Sequence, residues 1–237
     1  TCRDWSSDVC SSDLRSIGSI YQWSHYLFGL PKFLKLLLRN PAMITAALDG
    51  MIEYVSSFAD HYLSAVGKYI QTVQYPSDLT DQQGPMVNPA HYRKYIKPYH
   101  QKLLQHIRSK AADINPDLKI VLHSCGSSIV HMPDILDLGF DALNPVQISA
   151  ADMEPRSLKT RFGNQITFWG GLCDSQHTLP FGTQKAVAEE TSRNMQSFKP
   201  HGGYVGASIH NICYGVPPEN VVAMFDAAIQ SRTCEIG

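Results

Sequence analysis

The sequence predicts an α/β fold in which a parallel sheet is connected by helical crossovers. Three observations carry this: helical and strand-like stretches alternate from about Pro31 onward, about five β/α units follow one another, and no internal repeat or low-complexity linker interrupts them. An open doubly wound sheet and a closed eight-stranded barrel both fit. No GxGxxG or GxxxxGK[ST] element is present to favour a nucleotide-binding sheet. Five units at this spacing extrapolate to a barrel of ordinary size if about three more preceded them.

The elements follow from local chemistry. Asn40 is a cap and Pro41 a first helical position for a segment running to about Val66, where Gly67 closes it. Tyr69–Val73 is a short β-prone run. Asn88 and Pro89 repeat the cap-and-proline start for a helix whose apolar face is Tyr92, Ile96, Tyr99, Leu103 and Ile107, with Pro98 placed to kink it. Leu118–Leu122 reads as a buried-type strand and Met132–Leu138 as a helix ended by Gly139. Asp141–Val146 is a strand, Pro155–Phe162 a helix stopped by Gly163, and Ile166–Trp169 a strand. Lys185–Phe198 is an amphipathic helix and Gly203–Ala207 the last strand. Pro217–Ile229 is the final helix, with Val221, Met224, Phe225 and Ala228 facing inward.

Bulk properties narrow the function classes. The chain has 237 residues, 43% hydrophobic and 17% charged, with a formal net charge of −1, which suits a single globular domain. No basic stripe points to nucleic acid, and the longest apolar stretch, around Phe33–Leu38, is too short to span a membrane. No signal peptide is readable, so a cytoplasmic protein is expected.

The first residues stand apart. Arg3–Leu14, RDWSSDVCSSDL, resembles the in-frame translation of a common sequencing adapter, and Glu235-Ile236-Gly237 is a weaker match of the same kind. Residues 1–14 are therefore set aside and residues 15–237 taken as the carboxyl-terminal part of one domain. Of six cysteines, Cys2, Cys10 and Cys234 fall in these terminal stretches. The three that remain, Cys125, Cys173 and Cys213, are too few for a secreted disulfide framework.

Reactive side chains gather after the predicted strands: His123, Ser124, Cys125 and Gly126 after the second, then Asn144 and Gln147, then Cys173, Asp174 and Gln176, then His210, Asn211 and Cys213. A His-x-Cys pair plus a distant His or Cys can give zinc three ligands and leave one position open. Against this, buried cysteines commonly serve as small hydrophobes. Tyr26 is either a polar handle in a cleft or a packing residue, and Asp78 and Asp81 are either site carboxylates or solvated turn residues. His61, His91, His100, His106 and His201 read as surface or packing residues.

The segments DQQGPMVNPAHYRKYIKPYHQKL, VLHSCGS, ALNPVQ, TFWGG, LPFG and HNICYGVPPENVVAMF together resemble the uroporphyrinogen decarboxylase superfamily, from about Ile17 to Ile229. The resemblance implies a (β/α)8 TIM-type barrel, here amino-terminally truncated to about five β/α units, and a homodimer when intact. It implies two chemistries. Decarboxylases of the family remove acetate carboxyl groups from a tetrapyrrole in porphyrin biosynthesis without a cofactor. They use an amino-terminal Arg-rich motif and an Asp that this sequence lacks. Tyr26 matches the family's cleft tyrosine by its Tyr-Leu-x-Gly setting, and His210 its late histidine, seven positions before Pro-Pro-Glu-Asn.

The related corrinoid-linked methyltransferases hold zinc with a His-x-Cys pair, which His123 and Cys125 match, and a later Cys. That Cys falls at His210 here, with Cys213 three residues on, so His210 and Cys213 compete as third ligand. The favoured expectation is zinc-dependent transfer of a methyl group from a methylcorrinoid, carried on a partner protein, to a small-molecule thiol. Asp78 and Asn144 would be orienting groups around the cleft, and Asn144, Gln147 and Asp174 would contact substrate. The alternative is uroporphyrinogen decarboxylase, and Tyr26, Asp78 and His210 are the catalytic candidates on either reading. A degenerate, non-catalytic member is the third reading. The intact protein is expected to be an enzyme and this form of it inactive.

Overall fold

The computed structural model describes residues 16–232. The readings of Arg3–Leu14, Cys2, Cys10, Cys234 and Glu235-Ile236-Gly237 lie outside the described residues. The chain divides into two compact units. Among the described residues the first holds 16–78, Val87–His123 and Pro133–Asp141; the second holds Leu79–Met86, Ser124–Met132 and 142–232.

The first unit begins with α1 (Ile20–Phe28), whose Ser19 cap accepts from Gln22 N, and α2 (Leu30–Arg39), which buries Phe33 and Leu37. Then comes α3 (Pro41–Val66). Asn40 Oδ1 accepts from Met43 N at 3.3 Å, and Ile44, Leu48, Ile52, Val55, Ala59 and Leu63 form one buried stripe at three- and four-residue spacing. A cap of this kind contributes about 1 kcal/mol, and each fully buried aliphatic side chain about 1.5–3 kcal/mol.

β1 (Thr72–Pro76) pairs in parallel with β2 (Lys119–His123), Gln74 standing opposite Val121 and Pro76 opposite His123. The strand expected at Tyr69–Val73 therefore starts three residues later. Gly67–Tyr69 form a 3-10 turn and Tyr69 is exposed. Asn115 explains the shift: its amide donates to Gly67 O and Ile70 O, holding this connection off the sheet. Ser16 bridges to Gln74 on the other edge of β1, with Ile17 N donating to Gln74 O at 2.9 Å.

The helix read from Asn88 onward is three pieces: α4 (Pro89–His91), a π-turn at Tyr92–Ile96, and α5 (Lys97–Ala112). Pro98 has no N–H to give, and Lys97 N–H reaches five residues back, to Tyr92 O. The expected kink is thus a widened turn immediately before the proline. Tyr92, Ile96, Leu103 and Ile107 are buried as expected. Tyr99 is half-buried instead, with its hydroxyl donating to Asp49 and Thr45 O, and His100 occupies the interior. Next comes α6 (Met132–Asp137). Its Asp134 is buried and receives Arg93 Nε and Lys97 Nζ at 3.0 Å each. Burial works against the Asp134 charge, but these two cations hold its carboxyl below the ordinary range.

In the second unit β3 (Ala142–Asn144), β4 (Thr167–Trp169) and β5 (Tyr204–Val205) pair in parallel in that order. All three are shorter than the sequence suggests. Between them lie α7 (Pro155–Phe162), capped by both Glu154 carboxylate oxygens, α8 (Thr178–Phe181) and α9 (Gln184–Phe198), capped by Thr183. α10 (Pro218–Ser231) packs along α9. Leu172, Cys173, Leu179, Val187, Met195 and Met224 make the core there. The inward face of α10 is Asn220, Met224 and Ala227; Phe225, expected inside, is 42% exposed. Asn220 sets this rotation, because its amide donates to Leu179 O and Gly182 O. Among the described residues no helix is long and apolar enough to cross a membrane.

Candidate metal centre

The segment after β2 leaves the strand at His123 and is held at nearly every residue. Ser124 N donates to Asn144 O at 2.8 Å, and Ser124 Oγ accepts from Leu79 N. Cys125 O accepts from Thr80 Oγ1 at 2.7 Å, and Gly126 N donates to Gln147 Oε1 at 2.8 Å. Ser127 donates through N to Asp81 O and through Oγ to Ala151 O. Gly126 has φ +88, and a Cβ there would sit 2.2 Å from Asp81 O, so only glycine lets the two backbones approach this closely.

Cys125 is fixed in this way as a half-buried thiol. His210, in the loop between β5 and α10, brings a ring nitrogen to it, and Ile209 beside it is buried and anchors the loop. With His123, two residues before Cys125, the three ligand atoms lie within 4.8 Å of one another. Tetrahedral zinc with ligands at 2.0–2.3 Å needs neighbours about 3.4–3.8 Å apart, so closing on the ion takes movements of about 1 Å. The donors are two imidazoles and one thiolate, a set that suits zinc and leaves a fourth position open. His123 also carries a ring contact of its own, Nδ1 lying 3.2 Å from Gln74 Nε2.

The other residues singled out in the sequence take different places. Cys213 is exposed, its Sγ directed at Asn211 O at 3.6 Å, and is not in the group. Of the two competing third ligands the structure brings His210 to Cys125. Gln147 has its carbonyl committed to Gly126 N, which makes it a clamp on the Cys125 turn. Asn144 closes β3 ahead of a cis peptide bond to Pro145. Asp174 accepts from Gln176 N and from His177 Nδ1, each at 2.8 Å, and its N–H goes to Glu190. Tyr26 is 75% exposed and lines a surface depression with Trp23, Leu27, Ala47, Met51 and Tyr54.

Asp78 N donates to Gln22 Oε1, and the Asp78 charge acts on Tyr21 and His25, both buried on α1. Burial, with Asp78 adding to it, pushes the Tyr21 hydroxyl well up; burial takes His25 down to about 4, with Asp78 opposing. Sequence reasoning missed Tyr21, His25 and Gln74. For the first two the signal was their four-residue spacing on one helix face; Gln74 lay one residue past the β-prone run read at Tyr69–Val73. His61 bonds Ser57 O, His106 bonds Asp60, and His100 is buried against the Tyr92 hydroxyl, so these act in packing and on the surface.

Comparison with known proteins identifies the fold. A methyltransferase from Methanosarcina mazei superposes with a TM-score of 0.69 at 20% sequence identity, covering 91% of this chain and 57% of its own. An endo-1,4-beta-xylanase from Penicillium canescens superposes with a TM-score of 0.51 at 12% identity, covering 94% of this chain and 75% of its own. The chain thus spans little more than half the length of the first of these. No curated protein matches it in sequence. The fold is α/β of the TIM-barrel type, and the family model for uroporphyrinogen decarboxylase (URO-D) matches residues 16–231. The chain belongs to the uroporphyrinogen decarboxylase (URO-D) family.

Proposed function

We propose that the intact protein is a zinc-dependent methyltransferase that moves a methyl group from a methylated corrinoid, carried by a partner protein, to a small-molecule thiol. The observation that carries this reading is the convergence of His123, Cys125 and His210 within 4.8 Å. A cofactor-free decarboxylase has no use for a thiol between two imidazoles. The structural likeness to a methyltransferase agrees with the reading, although at 20% identity it speaks for the fold alone.

His123, Cys125 and His210 would hold the ion, which when bound supplies the Lewis acidity that keeps a substrate thiol as thiolate near neutral pH. The chain's own contribution is placement. The Gln147 and Thr80 clamps fix the turn that carries Cys125. In the transfer, a sulfur lone pair forms the new S–CH3 bond. A methylated corrinoid would supply the methyl group, its Co–CH3 electron pair staying with cobalt, and the thiol proton would pass to solvent.

The test is zinc content together with demethylation of methylcobalamin in the presence of thiols, using protein purified without chelator. About one zinc per chain and thiol-dependent loss of the methyl group are expected. Protein that carries no zinc and instead releases carbon dioxide from uroporphyrinogen would establish the decarboxylase reading in its place.

A further inference from the structure

Gln74 sits in the middle of β1, and its side-chain amide lies 3.2 Å from Nδ1 of His123. The pairing explains the contact. Gln74 stands opposite Val121, and His123 is two residues beyond Val121 on β2, so both side chains leave the same face of the strand pair. Gln74 is half-buried in a strand whose neighbours Val73 and Tyr75 are fully buried. A glutamine amide there is a fixed polar group with a donor end and an acceptor end.

We propose that Gln74 is the positioning residue that selects the tautomer of His123 and thereby makes its Nε2 a metal ligand. The inference rests on the zinc reading above. Neutral imidazole carries one N–H and one lone pair. With the amide NH2 facing Nδ1, the ring proton sits on Nε2 and that nitrogen has no lone pair to offer. Turned by 180°, the same amide presents its carbonyl oxygen and accepts Nδ1–H, so that Nε2 carries the lone pair a metal takes. The two amide orientations have the same shape, so the turn needs no repacking. The tautomer change moves one proton from Nε2 to solvent and returns one to Nδ1, with no net change in charge. Metal-bound histidines generally donate their second N–H to an oxygen in this manner, and loss of that oxygen typically costs 10–100-fold in metal affinity.

The experiment compares wild type with Gln74→Glu and Gln74→Met by chelator competition for zinc, with cobalt(II) spectra as a second probe. Glutamate can only accept and should bind zinc at least as tightly as wild type. Methionine keeps the length, loses the acceptor, and should bind 10–100-fold more weakly while the metal-free protein melts at an unchanged temperature. Nitrogen-15 spectra of His123 should show the proton on Nδ1 in zinc-loaded protein. Gln74→Met binding zinc as well as wild type, or a proton on Nε2 in the loaded protein, overturns the role of Gln74 alone. Wild type that takes up no zinc overturns the zinc reading and this inference together.

Discussion

Cys125 and Cys173 belong to the same unit, and each follows a strand of the same parallel type. Cys125 is half-buried, its thiol faces the ring of His210, and the surrounding backbone bonds end on neutral groups. Cys173 is fully buried; burial first, and then the carboxylates of Glu190 and Asp174, push its thiol up to about 12. A cysteine at a strand end is therefore not yet a reactive group. Its neighbours decide, because thiolate is the form that reacts and binds metal.

This contrast can be broken or sharpened experimentally. The largest expected effect is in labelling by a neutral thiol reagent near pH 7, followed peptide by peptide by mass spectrometry. Cys125 should react at least about a hundredfold faster than Cys173, and added zinc should slow only Cys125. Equal rates would break the comparison. Next in size, Cys125→Ala should weaken zinc binding by at least ten- to a hundredfold, while Cys173→Ala leaves it unchanged in a chelator titration.

Gly126→Ala sharpens the role of the turn. It should lower stability to denaturant by at least about 2 kcal/mol and loosen zinc binding with it. Gly139→Ala is the control: it shares a positive φ of +76 but has open space for a methyl group, and should cost about 1 kcal/mol. The smallest effect is that of Cys173→Ala on folding. Trimming one buried sulfur should cost about 1 kcal/mol, read from the midpoint of chemical denaturation.

Helices were the most legible part of this sequence, because their ends are written locally. Asn40-Pro41 and Pro155 with Gly163 mark ends that the helices keep, and Glu154 and Thr183, caps not read from the sequence, satisfy orphan backbone groups in the same local way. Strand ends were less legible, since a strand stops where its neighbour stops pairing. Gly203–Ala207 shrinks to two residues for this reason, and Tyr69–Val73 slides toward Pro76 because the distant Asn115 amide holds Gly67 and Ile70 off the sheet. In the candidate site, His123 and Cys125 were readable from their spacing. The choice between His210 and Cys213 was not, because it depends on the path of an irregular loop. Gln74 was invisible for a related cause: its meaning lies in the register between two strands 49 residues apart in sequence.

The π-turn at Tyr92–Ile96 is one residue more than an α-helix needs for the same number of turns. Viewed as a record of insertion, it marks where this helix can gain or lose a residue most cheaply. Deleting one residue there would rotate everything downstream by about 100° if the helix closed up as ordinary α. His100, Leu103 and Ile107 would then turn away from the interior they now fill. Pro98 would again face a carbonyl that has no donor. The extra residue and the proline are therefore coupled as neighbours in inheritance: chains that lose the one should be found to have replaced the other.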